Sequence, residues 1–413
     1  MKQTPIHLFL LTLLTFLTAC APTATVVKPG IEQLEASNFA LLKGKRIGLI
    51  TNPTGIDSHF RSTVDILANS ADLTLTTLFG PEHGVRGDFS AGDAVQNNTD
   101  AKTGIRCYSL YGKTKKPTPE MLAEIDVLVY DIQDIGARSY TFISTLGLAM
   151  EAAAENNVEF VVLDRPNPLG GNRVEGSIVT DGFFSFVSQY AIPYIYGLTV
   201  GELARYLNEE GCLANKTKCK LTVIPLQNWT RNMSFTDTKL PWVPSSPHIP
   251  RANSAYFYSA TGILGEFDAN MVGIGYTLPF EVLALPHINA DSVATEMNKL
   301  GLDGIHFRPI QFKPYYGANK GQAYSGVQLH ITDFKTVRLT SIQFYFAQVI
   351  YQMYHLSIFE QNTNRYDMFD KVCGSNSIRE KFCTAYKYTD IQAMWEASST
   401  NFKNVSRKYY LYK

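Results

Sequence analysis

Leu73-Thr-Leu-Thr-Thr-Leu-Phe-Gly-Pro-Glu-His-Gly-Val-Arg-Gly-Asp88 begins as an apolar β-type run and stops at Gly80-Pro81. A central strand cannot continue through Gly-Pro, so Glu82, His83, Arg86 and Asp88 fall in a loop just past a strand's carboxyl end. In open α/β sheets that edge is where ligands bind. A carboxyl, an imidazole and a guanidinium are therefore gathered where this architecture puts chemistry.

The same pattern repeats along the chain. Arg46–Ile50, Asp126–Tyr130, Val158–Leu163 and Leu221–Ile224 read as further strands. Between them lie helical stretches: Ser62 with Asp65 caps one running through Ala68, and others are expected near Pro119–Glu124 and over Tyr140–Asn156. Thr199-Val-Gly-Glu202 is a capping box opening a helix to Glu210, stopped by Gly211. Strands separated by helices imply a parallel sheet with right-handed crossovers. Four strands release polar loops onto one rim: Thr51-Asn-Pro-Thr-Gly55, Gly80-Pro-Glu-His-Gly84, Asp131-Ile-Gln-Asp-Ile-Gly-Ala-Arg138 and Asp164-Arg-Pro-Asn-Pro-Leu-Gly-Gly171. None carries G-x-G-x-x-G or a P-loop, so a dinucleotide or nucleotide site is disfavoured. Carboxylates and arginines on this rim suit a sugar or carboxylate ligand, and no cofactor is expected.

Pro241-Trp-Val-Pro-Ser-Ser-Pro-His-Ile-Pro250 can be neither helix nor central strand and reads as a crossing loop. Beyond it the pattern is mixed. Ala290–Leu300 and Thr340–Leu356 are helical, Ile305–Gln311 and Gly326–Ile331 are strands, and helices follow near Ser377–Phe382 and Ile391–Phe402. The expected organisation is an α/β chain with a parallel sheet over residues 44–245 and a second, α+β domain over 246–413 packed against the sheet's rim.

Residues 1–20 read as a lipoprotein signal and 21–43 as a tether. The apolar stretch from Ile6 to Ala19 is too short to span a bilayer and ends in Leu17-Thr-Ala-Cys20, which resembles a bacterial lipobox. That resemblance implies cleavage before Cys20 and lipid attachment to its sulfur. Ala21 in place of Asp favours the outer membrane, placing the protein in the cell envelope on the periplasmic side. A formal net charge of zero argues against a nucleic-acid partner, which demands a basic surface. In an oxidising compartment Cys212 with Cys219, and Cys373 with Cys383, are candidate disulfides. No C-x-x-C or H-E-x-x-H pattern supports a metal site.

An ordered set of motifs carries a family resemblance. It comprises Gly48-Leu-Ile-Thr-Asn-Pro-Thr-Gly55, Phe79-Gly-Pro-Glu-His-Gly-Val-Arg-Gly87, Tyr108-Ser-Leu-Tyr-Gly112, Asp126 through Arg138, Val162-Leu-Asp-Arg-Pro-Asn-Pro-Leu-Gly-Gly171, Thr199-Val-Gly-Glu-Leu-Ala204, Ser246-Pro-His-Ile-Pro250 and Pro279-Phe-Glu281. Together they resemble the NamZ-type exo-β-N-acetylmuramidases, formerly a domain of unknown function. The resemblance implies an α/β fold with a Rossmann-like parallel-sheet N-terminal domain, a smaller α+β C-terminal domain and a cleft between them. It also implies hydrolysis of terminal β-linked N-acetylmuramic acid from peptidoglycan fragments, with the family's proposed catalytic Glu at Glu82. One stretch departs from it. Where family members commonly show Asn-x-Ser-Glu-Gly-Arg-Gly-Thr, this chain has Asn270-Met-Val-Gly-Ile-Gly-Tyr-Thr-Leu-Pro279, a residue shorter and without the Glu and Arg.

Glycoside hydrolysis needs a proton for the leaving oxygen and stabilisation of an oxocarbenium-like centre. Glu82 is the candidate acid, with His83 to orient it or bond a sugar hydroxyl, and Asp131 or Asp134 as candidate second carboxylate or to orient the acetamido group. Asn52, Arg86, Asp134, Arg138, Tyr140, Asp164, Arg165 and Asn167 are candidate substrate contacts. Arg138 is the first choice to read the lactyl carboxylate of muramic acid bidentately. Tyr108, Tyr111, Tyr140 and Trp242 are the aromatic rings considered for sugar stacking. Two other classes stay open, a non-catalytic muropeptide-binding lipoprotein and another hydrolase on the same scaffold, though no G-x-S-x-G elbow follows any strand.

Overall fold

The computed structural model describes residues 26–87 and 98–413. Asp88 and Cys20 lie outside the described residues. The first half runs α1 (Gly30–Ala36), β1 (Arg46–Thr51), α2 (Thr63–Ala68), β2 (Thr74–Gly80), β3 (Asn98–Thr99), β4 (Arg106–Ser109), α3 (Pro119–Leu122), β5 (Val127–Asp131), α4 (Phe142–Glu155), β6 (Glu159–Leu163), α5 (Val200–Glu209) and β7 (Leu221–Ile224). The seven strands form one sheet in the order β3-β4-β2-β1-β5-β6-β7. Every pairing is parallel except β3 with β4.

A parallel sheet covered on both faces needs strands that are apolar on both. Alternate side chains of β5 show this. Val127 and Val129 join one core with Ile47, Leu49 and residues of α1 and α2, while Leu128 and Tyr130 join another with Leu146 and Met150 of α4 and Leu203 of α5. The capping box at Thr199 forms as expected. Ser62 does cap α2, but through Val64 N–H rather than by a box with Asp65.

From β1 the chain moves outward to β2, and from β5 it moves outward the other way to β6. Connections that part in opposite directions leave a crevice at the carboxyl ends of the two strands between them. That crevice lies beyond Thr51 and Asp131, which are register partners.

The second half contains α6 (Ser254–Thr261), β8 (Val282–Leu285), α7 (Ala290–Lys299), β9 (Ile305–Phe312), β10 (Tyr324–Ile331), α8 (Ile342–Tyr354), α9 (Tyr366–Cys373), α10 (Ser377–Ala385) and α11 (Tyr388–Ser406). Its strands form an antiparallel sheet in the order β8-β10-β9. Strands β3, β4 and β8 and helices α1, α6 and α9 were not expected from the sequence; α1 lies within the stretch read as a tether, and its Ile31 and Leu34 are buried in a core. Ile135, Ala137, Leu169, Tyr194 and Ile195 pack into the same core as α8 and α11, so the halves share an apolar seam.

Neither candidate disulfide forms: Cys212, Cys219, Cys373 and Cys383 are free thiols. Cys219 and Cys373 are instead small apolar fillers of the two large cores, and burial pushes the Cys219 thiol up to about 12. Among the described residues no helix is long and apolar enough to cross a membrane.

Candidate active site

The loop after β2 turns sharply. Gly84 N–H donates to the Pro81 carbonyl at 3.0 Å, and His83 and Gly84 both take positive φ, +73° and +76°. A side chain at Gly80 would meet Val85 N at 2.9 Å, so only glycine lets the loop fold back on the strand end. A left-handed histidine carries local strain, a feature concentrated at functional sites.

This turn leaves Glu82 half-buried between two neighbours. Strand β4 runs beside β2, with Ser109 opposite Gly80, so the residue that follows β4 meets the loop that follows β2. Tyr111 is there. Its hydroxyl is hydrogen-bonded with Glu82, and burial first, then the Glu82 charge and this bond, push the phenol up to about 12. On the other side is the N-terminus of α4. Thr141 does not cap its own helix; its Oγ1 lies 3.5 Å from Glu82 Oε2. His83 is buried. Burial first, then the proximity of His83, pushes the imidazole of His248 in the crossing loop down. His248 Nε2 in turn shares a hydrogen bond of 2.8 Å with the Tyr316 hydroxyl. The crossing loop also supplies Ser245, whose Oγ is 2.7 Å from the Tyr140 hydroxyl. Both halves of the chain thus meet around Glu82 and His83.

Most of the other expected site residues have internal tasks. Arg138 is fully buried: Nη1 donates to the Ser177 and Ile192 carbonyls at 2.6 Å each, Nη2 to Val372 at 2.8 Å and Nε to Ser188 Oγ at 3.1 Å. It cannot read a lactyl group; it pins α9 to the sheet domain. Burial pushes its guanidinium down to about 10. Asp131 is not a free second carboxylate, because Arg165 grips it through Nε and Nη2, the latter at 2.9 Å, and Thr63 donates to it. Arg165 also holds the Ile56 carbonyl. Asp164 accepts from Arg165 N, Gly201 N, Thr199 Oγ1 and Tyr412 hydroxyl, so it ties β6 to α5 and the chain's end. Asn167 bridges Leu198 O and Leu169 N. Tyr140 packs edge-on against Phe142 and Tyr258. Trp242 packs on Phe235 and donates to Ile249 O. Tyr108 leans on Phe79.

Asn52, Asp134 and Arg86 also lie on the loops of the rim. Asn52 orients its Oδ1 on Thr54, and its buried Nδ2 has no partner among the described residues. Asp134 accepts from Tyr196 and Gly136 N, leaves Oδ1 without a partner among the described residues, and is pushed by burial up to about 7. Arg86, partly exposed in the same loop as Glu82, is held by Asp100 and Asp65. Thr141, His248 and the bond from Tyr111 to Glu82 were not foreseen. The usable signals were the Gly112 stop after Tyr108-Ser-Leu-Tyr111 and a histidine inside a Pro-rich crossing loop.

Residues 47–253 match the family profile described as exo-beta-N-acetylmuramidase NamZ, N-terminal, and residues 256–412 match its C-terminal counterpart. The chain belongs to the NamZ family. Among NamZ relatives, the peptidoglycan beta-N-acetylmuramidase NamZ of Bacillus subtilis strain 168 is 43% identical over 386 residues, 94% of this chain and 91% of that protein. Two crystal structures of DUF1343 family proteins from Bacteroides fragilis share the NamZ-family fold seen here. One is 51% identical with a TM-score of 0.90, covering 95% of this chain and 100% of that one. The other is 28% identical with a TM-score of 0.71, covering 94% and 99%.

Proposed function

We propose that this chain is an exo-β-N-acetylmuramidase that removes terminal N-acetylmuramic acid from peptidoglycan fragments, with Glu82 as its general acid. The observation that carries the assignment of Glu82 is its setting: a half-buried carboxyl on a strained turn, held by the Tyr111 hydroxyl and beside the start of α4. In the reaction the bond from the anomeric carbon to the leaving oxygen breaks, and its electron pair stays on that oxygen. Glu82 delivers its proton there, water bonds to the anomeric carbon, and a proton is released. Hydroxyl groups on two sides fix the carboxyl's orientation, and burial behind the turn limits competing solvent. His83 braces the turn toward the crossing loop. Asn52 and Asp134, each with one buried polar atom that has no partner among the described residues, are the contacts we assign to sugar hydroxyls or the acetamido group.

The test is product analysis on a muramic-terminated peptidoglycan disaccharide. The wild type releases free N-acetylmuramic acid, and Glu82→Gln does not. Cleavage within longer glycans without release of the terminal sugar would refute the exo reading. We also propose that Cys20 carries a lipid anchor that holds the enzyme at the periplasmic side of the outer membrane. The support is the short apolar stretch ending in Leu17-Thr-Ala-Cys20.

A further inference from the structure

The loop joining β9 to β10 places two consecutive tyrosines in solvent. Tyr315 is 60% exposed and Tyr316 51%, in a chain whose other aromatic rings are mostly buried. Exposing apolar rings forgoes the burial that normally stabilises them, so adjacent exposed rings on a braced loop call for a ligand.

The brace is specific. Tyr315 N–H donates to the Gly275 carbonyl at 2.7 Å, and Asn319 N–H donates to Asn270 Oδ1 at 3.3 Å. A side chain at Gly275 would sit 2.5 Å from the Tyr316 carbonyl, and one at Gly317 3.2 Å from the Asn270 amide. The turn that lacks the Glu and Arg expected of the family is thus the seat of the tyrosine loop. Tyr316 is also tied toward the acid: its ring lies nearly parallel to His248, with an interplanar angle of 21°, and its hydroxyl bonds Nε2 of that residue; the crossing loop that carries His248 bonds Tyr140 through Ser245, next to Thr141 at Glu82.

We propose that Tyr316, flanked by Tyr315, is the stacking platform for the leaving N-acetylglucosamine, the sugar on the far side of the scissile bond from the muramic acid. This rests on Glu82 being the acid that protonates the oxygen between the two sugars. An exo-enzyme holds the terminal sugar inside its crevice, so an exposed lip reaches only the part that departs. The apolar face of a pyranose lies flat on an aromatic ring and asks no charge of it, which fits a lip built from tyrosines on an uncharged turn.

The test compares a disaccharide, N-acetylmuramyl-β-1,4-N-acetylglucosamine, with β-muramyl fluoride, whose leaving group has no ring to stack. Tyr316→Ala raises KM for the disaccharide roughly three- to tenfold, as expected for loss of one ring contact. It changes kcat/KM for the fluoride less than twofold. Tyr316→Phe, which keeps the ring and loses the bond to His248, retains most of the disaccharide KM. An equal loss on both substrates, an unchanged disaccharide KM in Tyr316→Ala, or a Phe variant as impaired as Ala would overturn the platform. Glu82→Gln, assayed alongside, separates the two claims: full disaccharide activity in that variant removes the acid assignment itself.

Discussion

At the scale of the residue, Glu82 and Arg138 show what single positions reveal. Glu82 was legible because Gly80-Pro81 ends a strand two residues earlier, and the loop that follows must lie on the rim. Arg138 was not. An arginine after Gly136-Ala137 looks the same in sequence whether it reads a substrate carboxylate or its own backbone, and its partners Ser177, Ile192 and Val372 are distant in the chain. Removing it strands three buried carbonyls, at a cost of roughly 3–5 kcal/mol. Arg138→Met therefore lowers the melting temperature sharply, while the surviving folded enzyme keeps its preference for muramic over glucosaminic aryl glycosides. Calorimetry and kcat/KM on the two glycosides check this; a stable variant that loses the preference would restore Arg138 as a substrate contact.

At the scale of the element, the β/α alternation was readable because each parallel strand is a near-continuous apolar run between polar breaks. Strand β4 escaped because its four residues Arg106–Ser109 include only two that are buried, and a run that short carries no period. Missing it hid why Tyr111 touches Glu82. The chain's last residues form another element that local pattern does not announce. Tyr412 donates to Asp164 at 2.5 Å, Leu411 N–H donates to Glu202 at 2.9 Å, and the Arg231 guanidinium lies 3.4 Å over the Tyr410 ring while paired with Glu202. Gly201 makes room, since a side chain there would sit 2.7 Å from the Asp164 carboxyl carbon. Ending the chain at Tyr409 leaves Asp164 and Glu202 short of partners and Trp229 without its edge-on tyrosine. The truncated protein should melt several degrees lower and be cut faster by protease near residues 226–235. An unchanged melting temperature would show the tail to be dispensable.

At the scale of the whole molecule, the crevice between β1 and β5 follows from strand order, and Leu240, Pro241, Trp242 and Val243 line it opposite Thr54 and Gln133. Burial in this assembly also sets a pH response. Asp134, Asp164 and Glu266 are each pushed up to about 7 by burial. Unfolded, such groups titrate near 4. Between about pH 4 and 7 the folded state therefore holds protons that the unfolded chain has released, and stability falls as pH rises through that window. Asp100, held at about 2 chiefly by its bond to Arg86, works in the opposite sense, and its contribution is fully present above pH 4. The melting temperature should be higher at pH 5 than at pH 8; a flat or rising profile would contradict these assignments. The lipid anchor is tested at the same scale. Wild type expressed with its leader should partition into detergent with the membrane fraction, since a lipidated N-terminal cysteine with several acyl chains anchors stably, and Cys20→Ser should not. Unchanged partition of Cys20→Ser would remove the anchor.

The central claim is that Glu82 gives its proton to the leaving sugar, and it is tested most directly by how the cost of Glu82→Gln depends on the leaving group. General acid catalysis contributes roughly 10²–10⁴-fold. A loss of that order in kcat is expected on the natural disaccharide. On an activated aryl glycoside, whose phenolate departs with little protonation, the loss should be much smaller, with the melting temperature unchanged. Equal losses on the two substrates, or a near-wild-type rate on the disaccharide, would contradict it.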